Sequence, residues 1–323
     1  MQFYRHSTKR YAALLKSKIV TSNVTRNMNS ALLSCSFLSS SARSQALPCL
    51  KNPLGRMITL ALILYFTPIP SLHAALVFSA PPREDIKKGN ETYGPLVSYL
   101  SNVLGERVIY EHPSGWAEYA NNMRNGRYDI VFDAPHFGAW RIKHISHVPV
   151  ARLPGFLGFI VVAKKQDRRL TRLRDLLSVK VCAMASPNLG TVTFYDMLNN
   201  PLYQPRFHEV SGGFKKVYQE FQDGHCRAAI LRNSYYFSLP RYERENLTII
   251  TASKPIPNQT ITVSQRLFAK KDLIAKKLMS VEGKKASSNL LKRFGSTQNS
   301  LRYVSTSEIE YLDSLLSGVV WGW

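Results

Sequence analysis

Residues 93–141, YGPLVSYLSNVLGERVIYEHPSGWAEYANNMRNGRYDIVFDAPHFGAWR, decide the fold. Tyr93, Leu96, Val97, Leu100 and Leu104 recur at i, i+3, i+4, i+7 and i+11, the spacing of one buried helix face. Arg107 to Tyr110 predicts a short strand. Trp116, Tyr119, Ala120 and Met123 repeat the helical spacing, and Asn125-Gly126 closes that helix. Tyr128 to Phe132 is an apolar run with the length of a buried strand. Strands joined by helices run parallel and leave a crevice at their carboxyl ends, where loops gather around a ligand. The expected class is α/β, with the chemistry in the loops that follow the strands.

A second series of the same kind begins at Leu173. It reads helix, strand (Lys180 to Met184), the loop Ser186-Pro187-Asn188-Leu189-Gly190-Thr191 and helix (Val192 to Leu198). Strand (Arg206 to Val210), the Ser211-Gly212-Gly213 loop, helix (Phe214 to Phe221) and strand (Cys226 to Leu231) follow. GFLGFIVVA at 155–163 lies between the two series, and SKPIP at 253–257 with Ile261 to Val263 follows the second. These β-rich stretches predict two crossings between two lobes, residues 75–156 with 254–323 and residues 157–253. Helices around Leu273 to Met279, Leu290 to Phe294 and Ile309 to Leu316 are expected to return the chain to the first lobe. Ser305 and Glu308 have capping-box spacing at the start of the last one.

A chain of 323 residues that is 45% hydrophobic can bury two such cores. Lys and Arg number 43 against 21 Asp and Glu, giving +22. Nine of the basic residues and none of the acidic ones fall in residues 1–74, which leaves 34 against 21, an excess of 13, in the remainder. That excess suits an anionic ligand or surface as well as a diffusely basic exterior. Scattered basic residues do not make a nucleic-acid patch.

Residues 1–74 are read as a removed leader. ITLALILYFT at 58–67 follows Arg56 and precedes Pro68 and Pro70, the pattern of a signal peptide cleaved near Ala74. Its ten residues fall short of the roughly 20 that a spanning helix needs. The Ser-rich, acid-free stretch before it reads as an artefact of a start placed upstream of Met57, or as a transit peptide. A periplasmic location follows for the mature chain. Of the four cysteines, Cys182 and Cys226 remain there, on strands expected to be neighbours, either bridged or as two buried thiols.

The order YGPLVSYL, GWAEYANNMRNGRYDIVF, GFIVVAKKQDRRLTRLRDLLSVKV and SKPIPNQTITV resembles the phosphate, phosphite and phosphonate-type periplasmic substrate-binding proteins of ABC transporters. The resemblance covers residues 76–320 and implies a two-lobed type 2 periplasmic-binding fold, each lobe a mostly parallel sheet flanked by helices. It implies a monomer without cofactor that captures a small anionic solute, a phosphonate- or phosphate-like oxyanion, for an ABC permease. The periplasmic part of a sensor kinase is the alternative partner. A secreted hydrolase built on Ser186, His136 and Asp133 is disfavoured by the absence of a GxSxG elbow, and His144 with His147 lack a third ligand for a metal.

Family members hold the oxyanion with hydroxyls and backbone N–H groups at a helix N-terminus of the second lobe. The matching loop is 186–191. Where the family shows a Ser-Thr-Ser run, this chain offers Thr191 with Asn188, Ser186 and the amides of Gly190, Thr191 and Val192. Trp116 aligns with an aromatic ligand contact, or packs in the core. Asp133 repels an oxyanion unless a cation intervenes, and His136 is the expected cation; helix capping is the other role for each. Arg232 and Asn233 stand where the family has an acidic residue, and favour an anionic ligand group. Ser211 and Arg83 complete the candidate ligand-binding residues, and no catalytic residue is expected.

Overall fold

The computed structural model describes residues 74–317, apart from residues 201, 203 and 295–299. The expected leader up to residue 73 lies outside the described residues, as do residues 318–323. The first sheet contains β1 (Leu76–Ser79), β2 (Val108–Glu111), β3 (Ile130–Asp133), β4 (Val148–Arg152) and β12 (Thr260–Val263), in the order β2-β1-β3-β12-β4. β1 is parallel to β2 and β3, whereas the returning β12 is antiparallel to β3 and β4. The second sheet contains β6 (Phe159–Lys164), β7 (Lys180–Met184), β8 (Arg206–Val210), β9 (Ala228–Arg232) and β10 (Leu247–Ala252), in the order β10-β6-β9-β7-β8. Here β7 is parallel to β8 and β9, and β6 is antiparallel to β9 and β10. Where the chain crosses between sheets, β5 (Phe156–Leu157) pairs with β11 (Ile256–Pro257).

The helix before β2 starts earlier than its periodicity predicts. α1 spans Ile86–Leu104, because Asp85 caps it by accepting the Lys88 amide at 2.8 Å. Gly89 and Pro95 look like breakers in sequence, yet both are inside the helix. A Cβ on Gly89 would stand 2.5 Å from the Tyr110 hydroxyl, so this glycine lets α1 lie against β2. Its Tyr93, Leu96, Leu100 and Leu104 face join Phe78, Ile130 and Phe132 in the core of the first lobe. α2 (Trp116–Arg124) and α3 (Pro135–Ile145) flank the same sheet.

In the second lobe, α4 (Leu189–Leu198), α5 (Phe214–Gln222), α6 (Asn233–Ser238) and α7 (Arg241–Glu245) follow the strands. α8 (Lys271–Leu278), α9 (Val281–Ala286) and α10 (Ser288–Arg293) then return to the first lobe, where Ile274, Leu278, Leu290 and Leu291 enter its core. The final expected helix differs. Ser305 and Glu308 do form a capping box, but the turns they open, Thr306–Glu308 and Glu310–Leu316, are 3-10 helix. Nor do they belong to the first lobe alone. Ile309, Leu312 and Leu315 share a cluster with Leu170, Val192 and Phe194 of the second lobe, while Leu316 packs with Tyr119, Met123 and Phe137 of the first.

Cys182 and Cys226 are joined by a disulfide that ties β7 to the entry of β9. With the two cysteines 44 positions apart, loop closure in the unfolded chain is worth roughly 4 kcal/mol. Replacing both cysteines by alanine is expected to lower the unfolding free energy by about 2–4 kcal/mol, read from urea denaturation. Two free thiols in nonreducing mass analysis would contradict the bridge.

Candidate functional site

Carboxyl ends of strands carry most of the candidate residues. Arg83 lies on the loop after β1, Asp133 ends β3, and His136 sits in the first turn of α3; from the second lobe come Asn188 at the cap of α4 and Arg232 at the end of β9.

Asp133 is completely buried and its oxygens are occupied. It accepts from the Tyr119 hydroxyl and from the Ala134 amide at 2.8 Å, with Arg141 Nη2 at 3.4 Å and Arg83 Nη2 at 3.8 Å. Arg141 is buried as deeply; its guanidinium donates to the Tyr119 hydroxyl at 2.8 Å and lies over the rings of Tyr119 and Tyr128. Burial pushes the Asp133 carboxyl up, against the pull of Arg141 and Arg83. The expected ligand contact is therefore an internal anchor, and its cation is arginine.

His136 does not supply that charge. Only 1% exposed, it is driven down to about 3 by burial, helped by the charge of Arg83, and so is neutral. Its Nε2 lies 3.0 Å from the Pro187 carbonyl on the loop between β7 and α4. A carbonyl can only accept, so Nε2 carries the proton and the bond joins the lobes.

The second-lobe loop is also more engaged than expected. Asn188 caps α4 by accepting the Gly190 amide at 2.9 Å, and Thr191 Oγ1 donates to the Met184 carbonyl at 2.6 Å. Neither the Gly190 amide nor the Thr191 hydroxyl proton is free for a ligand. Val192 N bonds the Asn188 carbonyl, leaving the amides of Leu189 and Thr191 in the first turn. A Cβ on Gly190 would come within 2.6 Å of the Phe159 ring, which explains why a serine of the Ser-Thr-Ser run has no place there. Asn233 is engaged within the protein: its backbone N–H donates to Gly158 O at 2.8 Å and its side-chain oxygen accepts from the Ser234 amide. Ser211 is exposed, at the end of the edge strand β8, and bonds to none of the others. Trp116 is half-buried, stacked near Phe137 and edge-on to Tyr119.

Besides Arg141, whose Nε and Nη1 are also buried without a hydrogen-bond partner, two guanidiniums remain among the candidate residues. Arg83 Nη1 and Arg232 Nε are both buried without a hydrogen-bond partner. Burial lowers the Arg232 pKa and the charge of Arg83 lowers it further, so the two cations, one from each lobe, feel each other. Among the described residues Arg232 has no carboxylate partner. Tyr93, read from the sequence as core, adds a fully buried hydroxyl without a partner; burial raises it, and Arg83 and Glu84 act on it. A cavity of about 530 Å³ lies elsewhere, lined by Tyr218, Tyr235, Tyr242 and Glu243, and no candidate residue borders it. Among the described residues no cluster of His, Cys, Asp and Glu could hold a metal.

A family profile described as ABC transporter, phosphonate, periplasmic substrate-binding protein matches residues 78–308. Among solved structures, XAC2383 from Xanthomonas citri bound to chloride ion superposes with a TM-score of 0.61 at 15% identity, covering 75% of this chain and 97% of that one. PhnD1 from Prochlorococcus marinus in complex with methylphosphonate gives 0.54 at 12% identity, with 75% and 97% covered. A binding protein component of an ABC phosphonate transporter from Pseudomonas aeruginosa gives 0.51 at 14%, with 75% and 85% covered. No curated protein matches the sequence. At these identities the structures establish the type 2 periplasmic-binding fold, and the profile establishes the family.

Arg141→Met leaves Asp133 buried beside only the more distant Arg83, and is expected to cost about 3–5 kcal/mol in urea denaturation. A cost below 1 kcal/mol, on the order of an exposed pair, would contradict the anchor. Acid sensitivity follows from His136 and from His147, which burial likewise drives from 6.5 to about 3. Their contribution is complete above pH 6.5 and is lost as pH falls toward 3, at about 1.4 kcal/mol per pH unit for each. Stability measured between pH 7 and 4 should lose one such increment of slope in His147→Leu.

Proposed function

Since this chain belongs to the phosphonate-type periplasmic substrate-binding proteins of ABC transporters, a family of binders and not of enzymes, we propose that it captures a phosphonate- or phosphate-like oxyanion between its lobes and delivers it to an ABC permease. The observation that carries this reading is the pair Arg83 and Arg232, one from each lobe, with the charge of Arg83 acting on Arg232. Each brings a buried N–H without a partner, and the carboxylate paired with Arg83, Asp133, is shared with Arg141. Guanidinium groups match tetrahedral oxyanions in geometry and charge, and an anion between them would satisfy both donors and cancel their repulsion. The Tyr93 hydroxyl and the free first-turn amides of α4 are further donors, the helix end adding about 0.3–1 kcal/mol.

In this reading the lobes comprise residues 75–156 with 254–323 and residues 157–253, hinged where β5 and β11 pair. Closure over the solute creates the surface that the permease reads. The protein works in the periplasm after cleavage near Ala74, as the pattern before that residue supports.

Thermal-shift measurement against phosphate and methylphosphonate tests the proposal. A ligand at 100 times its Kd adds about 2.7 kcal/mol. Arg83→Ala and Arg232→Ala are each expected to weaken binding by about 30-fold or more, the effect of truncating one partner of a buried charged pair. Unchanged affinity in both variants would place the anion elsewhere.

A further inference from the structure

We propose that His136 selects the singly protonated form of the oxyanion, its Nδ1 accepting the proton of the ligand's P–OH group. The inference rests on the oxyanion reading above and names which ionic form that site takes.

The argument is a hydrogen-bond account of one ring. His136 gives its Nε2 proton to the Pro187 carbonyl at 3.0 Å, and Phe137 covers one face with ring centroids 4.2 Å apart. In that tautomer Nδ1 holds a lone pair and can only accept. The atom is buried and has no hydrogen-bond partner, in a side chain that is almost fully enclosed. Its place is the junction of the lobes, since the bond to Pro187 spans them, and the guanidinium of Arg83 is near enough for its charge to act on the ring.

The unpartnered groups that the two lobes offer besides this ring are donors: Arg83 Nη1, whose charge reaches His136, and Arg232 Nε, which the charge of Arg83 reaches in turn. The one neighbouring carboxylate, Asp133, already receives Tyr119, Ala134 and Arg141. His136 Nδ1 is thus an unpartnered acceptor at the junction of lobes that supply unpartnered donors. A fully ionised oxyanion would set lone pair against lone pair at Nδ1, whereas a singly protonated phosphonate or phosphate offers the missing hydrogen and keeps acceptor oxygens for the arginines. A sulfonate has the same shape and single charge but carries no proton at all.

Methylphosphonate and methanesulfonate separate these cases when titrated calorimetrically below the second ionisation of the phosphonate. Both ligands are then monoanions, and only one has a hydroxyl. The sulfonate is expected to bind about ten- to a hundred-fold more weakly, the effect of leaving a buried acceptor unpaired. His136→Leu, checked for folding by circular dichroism, is expected to bring the two affinities within a few-fold of each other. Equal binding by the unmodified protein overturns the inference while leaving the oxyanion reading intact, and needs no variant to fold. A preference that persists unchanged in a folded His136→Leu also overturns it. If neither anion binds, the reading beneath it falls as well.

Discussion

The ionic group at the end of β3 is the constraint on which the site depends. Asp133 and Arg141 are both without solvent exposure, and taking two such charges out of water costs several kcal/mol each. The cost is offset because Tyr119 bonds both partners, the Ala134 amide donates to the carboxylate, and two tyrosine rings lie under the guanidinium. Buried in this way, the group fixes the turn from β3 into α3 and holds Arg83 at the edge of the same carboxylate. His136, three residues beyond Asp133, takes its position from that turn. A pair that contributes little net stability can still determine where the candidate first-lobe groups Arg83 and His136 stand.

The second lobe is held to this frame by apolar contacts, by the β5–β11 pairing at the crossings and by the His136 to Pro187 bond. Leu157 and Ile256 at the crossings, Ala139 of α3, and Ile309, Leu312 and Leu315 of the last turns form one cluster with Val192 and Phe194. Separating these side chains would expose aliphatic surface at about 1.5–3 kcal/mol for each large residue. The His136 to Pro187 bond, by contrast, is worth about 0.5–1.5 kcal/mol net. The cheaper motion is therefore a pivot about the apolar cluster that breaks the polar bond, and this places the moving contact beside the candidate ligand groups.

Much of the framework is local and hence readable. β7 and β8 have in the structure the limits that the sequence predicts, since turn residues punctuate both short strands, the buried β7 and the partly exposed edge strand β8. The start of α1 is hidden because its first turns contain Lys87, Lys88, Gly89 and Asn90, and the reason for Gly89 is Tyr110, a residue on another element. The 3-10 form and divided packing of the last turns depend on two surfaces that no sequence window contains. The same boundary runs through the site. Arg83 and Arg232 are legible as cations in loops after strands, but Tyr93 and Arg141 have the spacing of core residues. Whether the Thr191 hydroxyl turns to a ligand or to Met184 is decided by tertiary geometry.

Gly190 links the departure from the family's loop to the mechanism of closure. Phe159 occupies the space that a serine Cβ would need, so this position has no room for the hydroxyl donor of the family's run, and under the proposed function guanidinium charge would take its place. Neutral hydroxyls interact almost equally with their own lobe whether the cleft is open or closed. Arg83 and Arg232, on opposite lobes, do not: the Arg232 pKa is lowered first by burial and then by the charge of Arg83, so bringing the two together without an anion would raise the energy of the closed state. A ligand drives a conformational change only by interacting differently with the two states. An oxyanion between two like charges meets that condition directly, because it turns the principal electrostatic obstacle to closure into an attraction from both sides.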